Sequence, residues 1–139
     1  MATALRQNGY KIHHTKQNVA IATLYGVAHT PDWIAYRGND EFIVEVKYQG
    51  SSGSLYPKTL GEVVRLSLSM AKNPGRFKSA YIVLTGEAIN KETGKPDAGY
   101  HSFKQWMFLG FYRDVVRGSD RIHCVSLDKF MDLCNKGAL

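Results

Sequence analysis

No stretch of this chain approaches the roughly 20 consecutive apolar residues that cross a bilayer, and its N-terminus lacks the charged, apolar and small-residue zones of a secretion signal. The expectation is a cytoplasmic protein with no membrane partner. Cysteine is nearly absent. Cys124 and Cys134 stand ten residues apart, with no CxxC and no histidine at zinc-finger spacing, so both read as buried free thiols. Internal repeats, linkers and biased tracts are missing, which excludes solenoids and disordered arms. The first 31 residues contain no aspartate or glutamate, yet carry Arg6, Lys11, His13, His14, Lys16 and His29. That end is either a surface that can lie against phosphates without local repulsion or a short solvated basic edge.

What is present fits one folded domain spanning residues 1–139. At 44% hydrophobic and 12% aromatic, the chain can bury a core without disulfide or metal staples, and we expect one core. Its formal net charge of +6 favours a polyanionic partner.

The hydrophobic pattern predicts a helix over 2–8 closed by Gly9, then extended pieces at 10–15 and 19–28. Strands follow at 33–37 and 42–49 around the Gly38-Asn39-Asp40 turn cluster. Gly50-Ser51-Ser52-Gly53-Ser54 reads as a loop, with Pro57 in the first turn of the next helix. Over 59–73, Leu60, Val63, Val64, Leu68 and Ala71 form an apolar stripe, and Glu62, Arg65, Ser69 and Lys72 take the other face. The apolar run 79–86 suits a strand buried on both faces. A polar loop at 87–99 precedes a long helix over 102–118 with Phe103, Trp106, Met107, Phe111 and Val115 as its stripe, then a strand at 121–126 and a helix at 127–137. The order implies an α/β (α+β) fold, a mixed sheet flanked by helices.

Within the strand at 42–49, alternation sets Phe42, Val44, Val46 and Tyr48 on one side and Ile43, Glu45, Lys47 and Gln49 on the other. A carboxylate and an ammonium buried unaided each cost several kcal/mol, so that face is open to water, holds a structural ion pair, or holds something that offsets the charge. Asp32, after Pro31, begins the strand that the turn folds back beside Glu45, where neighbouring strands are only about 5 Å apart. Two carboxylates that close repel unless a cation lies between them, and hard oxygen donors suit magnesium.

Pro31-Asp32 followed by Glu45-Val46-Lys47, with Glu45 thirteen positions after Asp32, resembles the PD-(D/E)XK nuclease superfamily, which includes restriction endonucleases, junction resolvases and repair nucleases. The order strand, turn, strand with ExK, amphipathic helix, apolar strand extends the resemblance over roughly residues 9 to 86. It implies a restriction-endonuclease-like fold in which Asp32, Glu45 and the Val46 carbonyl bind magnesium, with manganese as a substitute, while Lys47 attends the attacking water. The implied reaction is in-line hydrolysis of a DNA phosphodiester leaving a 5′-phosphate. Gln49 and the GSSGS loop with Lys58 look like the polar extension after ExK. The chain departs from members that carry a further glutamate on the first helix, and Gln7 or Glu62, fifteen residues after Lys47, is its candidate replacement.

Ser52, Ser54, Lys58, Arg65, Lys72 and Arg76 are candidate DNA-backbone contacts, with solvated surface as the alternative. His13 and His14 face opposite ways on a strand and favour packing, as do Trp33, Tyr36 and Tyr56; Asp40 and Glu41 sit at the turn and favour solvent. The 87–99 loop either enters a groove or is a plain excursion. The reading is a magnesium-dependent endonuclease of restriction or homing type, acting on double-stranded DNA as a homo-oligomer because one active site cuts one strand. A Holliday-junction resolvase and a non-catalytic DNA-binding module are the alternatives.

Overall fold

The computed structural model of the protein describes residues 1–14, 21–23, 26–51 and 55–139. Five strands form one mixed sheet in sequence order: β1 (Lys11–His14), β2 (Trp33–Arg37), β3 (Asp40–Tyr48), β4 (Phe77–Thr85) and β5 (Ile122–Ser126). β1, β2 and β3 pair antiparallel, and β3, β4 and β5 pair parallel. Helices α1 (Ala2–Gln7), α2 (Leu55–Lys72), α3 (Ala98–Phe108) and α4 (Leu127–Asn135) cover it. This is the mixed, helix-flanked sheet that the order of periodicities predicts. No helix among the described residues is long and apolar enough to cross a membrane.

Strand alternation divides the interior in two, where one core was expected. Ile43, Ile82 and Leu84 face one side and pack with Val63, Leu66 and Met70 of α2 and Met107 of α3. Phe42, Val44, Tyr81 and Val83 face the other and pack with Leu5 of α1 and Phe130 and Cys134 of α4. β4 is central and parallel to both neighbours, which accounts for its buried run on both faces. Both cysteines are buried and unbridged.

Three local expectations change. The piece at 19–28 is no strand where it is described; Ile21 and His29 make one isolated antiparallel bridge, and residues 19, 20, 24 and 25 lie outside the described set. The helix predicted over 102–118 starts at Ala98, because Asp97 caps it by accepting from the Tyr100 N–H at 2.7 Å, and it ends before Gly110, whose φ of 80° is left-handed. A short 3-10 turn, Phe111–Asp114, follows, and Phe111 and Val115 are exposed instead of extending the stripe. In α2, Val64 is exposed while Glu62 and Ser69 are buried. A helix face can bury such groups where hydrogen-bond partners meet them.

Candidate active site

The β2–β3 register aligns Trp33 with Val44, which carries Asp32 alongside Glu45. The Asp32 Oδ2 accepts the Val46 N–H at 2.8 Å, and the Asp32 N–H points to Glu45 Oε2 at 3.3 Å. The N–H and C=O of one strand residue point to the same edge, so the Val46 carbonyl lies on the Asp32 side.

On the opposite flank of Glu45 stands His29, 1% exposed. Its backbone exchanges two hydrogen bonds with Ile21, at 2.7 and 2.8 Å, and Asn73, just past the end of α2, donates to the neighbouring Ala22 carbonyl at 2.9 Å. The imidazole Nε2 is 2.6 Å from Glu45 Oε1 and 3.5 Å from Glu62 Oε1, and Nδ1 is 3.1 Å from Ser69 Oγ. Glu62 projects from α2, 5% exposed, with both oxygens held by Arg65 Nη2 at 2.7 and 2.6 Å. Lys47 Nζ completes the group 3.6 Å from Glu62 Oε2, its side chain 25% exposed and at the rim.

Burial pushes the Glu45 carboxyl up to about 7, opposed by its hydrogen bond to His29 and reinforced by the negative charges of Glu62 and Asp32. A carboxyl held this way favours a positive charge beside it, proton or cation. Donor atoms of His29, Glu45 and Glu62 lie within 4.8 Å of one another. An octahedral cation with bonds of about 2.0–2.1 Å separates cis donors by about 2.9 Å and trans donors by about 4.2 Å, so a slight opening of the 2.6 Å His29–Glu45 pair and shifts of some tenths of an ångström elsewhere would bring these three onto one ion. The donor set therefore fits a divalent cation. Asp32 is not one of that trio and flanks it on the Val46 side.

The sequence-predicted residues divide accordingly. Asp32, Glu45, Val46, Lys47 and Glu62 come together. Gln49 lies beyond the end of β3, where its side-chain amide donates to the Ser51 carbonyl, outside this cluster. Lys58, Arg65 and Lys72 recur every seven residues along α2, which sets them in one stripe; Lys58 and Lys72 are exposed, and Arg65 is tied to Glu62. Arg76 is engaged at 2.9 Å by Glu41. Asp40 faces Lys78 at 3.6 Å. Ser52 and Ser54 lie outside the described residues. His29 was counted as a basic residue and not as a site residue; its nearness to Pro31-Asp32 was the only pointer. A cavity of about 500 Å³ lined by Lys78, Tyr81, His123 and Lys129 opens on the α4 side, and no residue of the cluster lines it.

No family model matches the sequence, and no curated protein is significantly similar to it. Solved structures are similar in fold. A protein of unknown function, AF1548, superposes with a TM-score of 0.52 at 16% identity, over 98% of this chain and 62% of that one. The small subunit of the heterodimeric restriction endonuclease R.BspD6I gives a TM-score of 0.48 at 15% identity, over 96% of this chain and 63% of that one. This chain thus spans about three-fifths of the length of the structures it matches.

Proposed function

We propose that the chain is a magnesium-dependent DNA endonuclease of the PD-(D/E)XK, restriction-endonuclease-like kind, acting in the cytoplasm. The observation that carries this reading is the buried Glu45 carboxyl, pushed up to about 7, set between Asp32 and the His29–Glu62 pair with the Lys47 ammonium at the rim of the same cluster. A bound magnesium ion, or manganese in its place, would supply Lewis-acid polarisation of a phosphate and make water a stronger nucleophile at neutral pH. Asp32, Glu45 and the Val46 carbonyl are the residues assigned to hold it.

Lys47 would orient the attacking water and meet negative charge growing on phosphorus, a role supported by its ammonium lying part-exposed beside the buried Glu62 carboxylate. Arg65 holds Glu62 in place, which leaves Lys47 shared between Glu62 and the substrate side. The exposed ammonium groups of Lys58 and Lys72, about 21 Å apart along α2 at 1.5 Å per residue, suit contacts to a phosphate backbone that are salt-sensitive and blind to sequence. One such site cuts one strand, so double-strand cleavage calls for two copies arranged about a two-fold axis.

The test incubates supercoiled plasmid and a synthetic four-way junction with the wild type and Lys47→Ala, each in magnesium and in EDTA. Discrete magnesium-dependent cleavage of plasmid by the wild type alone is expected. Resolution of the junction without plasmid cleavage would replace this reading with a resolvase, and retention of DNA with no cutting would leave a binding module.

A further inference from the structure

We infer that His29 and Glu62 join Glu45 as ligands of a divalent cation, on the side of Glu45 away from the Asp32–Val46 position assigned above, and that the His29 nitrogen biases this position toward transition-metal dications such as manganese and cobalt over magnesium. The inference rests on the cluster being a cation site and adds to that reading its donor chemistry and its preferred ion.

The tautomer is set by hydrogen bonds outside the cluster. Ser69 Oγ has one hydrogen, and it is donated to the Arg65 carbonyl at 3.0 Å. In the 3.1 Å contact with His29, Ser69 must therefore accept, and Nδ1 carries the proton. Nε2 is then the ring atom that faces the acids, 2.6 Å from one carboxylate oxygen and 3.5 Å from another. Lone pairs that close repel unless a positive centre lies between them. Solvent does not supply it, since the His29 side chain is 0% exposed and those of Glu45 and Glu62 are 3% and 6% exposed.

The ring is also held in place. Its backbone is fixed by the Ile21 bridge, and the Nδ1–H bond to Ser69 orients the ring, the arrangement common behind metal-bound histidines. Imidazole nitrogen binds first-row transition metals better than magnesium, which prefers oxygen and keeps several waters. A proton shared between His29 and Glu45 is the competing occupant of the gap.

The experiment uses manganese as the probe. Pulsed electron paramagnetic resonance of the Mn²⁺-loaded wild type, with natural-abundance and ¹⁵N-labelled histidine, reads directly whether a ring nitrogen is bound. Titration calorimetry compares Mn²⁺ and Mg²⁺ affinities in the wild type and in His29→Ala and His29→Gln. The expected result is a nitrogen coupling that changes on labelling, with Mn²⁺ affinity falling roughly 10- to 100-fold and Mg²⁺ affinity falling less than about threefold in the variants. Mn²⁺ bound with no nitrogen coupling overturns the inference and leaves the nuclease proposal to its plasmid assay. A wild type that binds neither ion overturns both. The wild-type spectrum decides even if neither variant folds.

Discussion

Replacing Glu45 with glutamine should make the protein more stable and inactive. The Glu45 carboxyl rises from 4.5 to about 7 on folding, chiefly because burial penalises its charge. Between those pH values the folded chain holds a proton that the unfolded chain has lost, so stability falls as pH rises through that window. At about 1.4 kcal/mol per pH unit, the cost of ionising Glu45 in the fold is on the order of 3 kcal/mol above pH 7 when no cation is present. Glutamine has the same shape without the charge, and its amide can donate to the His29 Nε2 lone pair. Urea unfolding in EDTA should therefore show Glu45→Gln more stable than the wild type by roughly 2–3 kcal/mol at pH 8 and nearly equal to it at pH 4.5. Added manganese should stabilise the wild type far more than the variant. A variant that is less stable at pH 8, or a difference independent of pH, would mean that Glu45 is not carrying an uncompensated buried charge.

Lys47→Ala should lower the plasmid cleavage rate by about 100-fold or more while changing stability by less than about 1 kcal/mol, since the ammonium is part-exposed and its pairing with Glu62 is loose; an unchanged rate would remove Lys47 from the mechanism. Gly86→Ala should destabilise by roughly 2–4 kcal/mol in urea titration, because Gly86 has φ +88° and a Cβ there would lie 2.2 Å from the Gln49 carbonyl oxygen; a loss under about 1 kcal/mol would contradict this. Burial pushes the Cys124 and Cys134 thiols up to about 12 and about 11, so an aromatic disulfide reagent at pH 8 should label them only on unfolding, and rapid labelling of the native protein would count against the packing described.

The placement of Asp32, Glu45 and Lys47 was legible because two local rules converge on it. Alternation along β3 fixes the side on which Glu45 and Lys47 stand, and a tight turn at Gly38 fixes the register that brings Asp32 alongside. Glu62 was legible only through the family resemblance. Helical periodicity assigned it, with Ser69, to the solvated face, and that pattern has no way to register that the sheet opposite presents His29 and Lys47 instead of apolar side chains. His29 was hidden for a different reason. Its place depends on one isolated bridge to Ile21, a contact between short segments that neither helical nor strand periodicity encodes. The break in the helix at Gly110 was missed because Phe111 and Val115 continue the apolar spacing beyond it, whereas the left-handed glycine decides the backbone.

The central claim, that these buried acids exist to hold a divalent ion, is tested most directly by anomalous scattering from crystals soaked in manganese. A peak is expected within about 2.5 Å of a Glu45 oxygen, bounded by His29 and Glu62 or by Asp32 and the Val46 carbonyl. Ordered Glu45 and His29 side chains still in mutual hydrogen bond, with no peak between or beside them at saturating manganese, would contradict it.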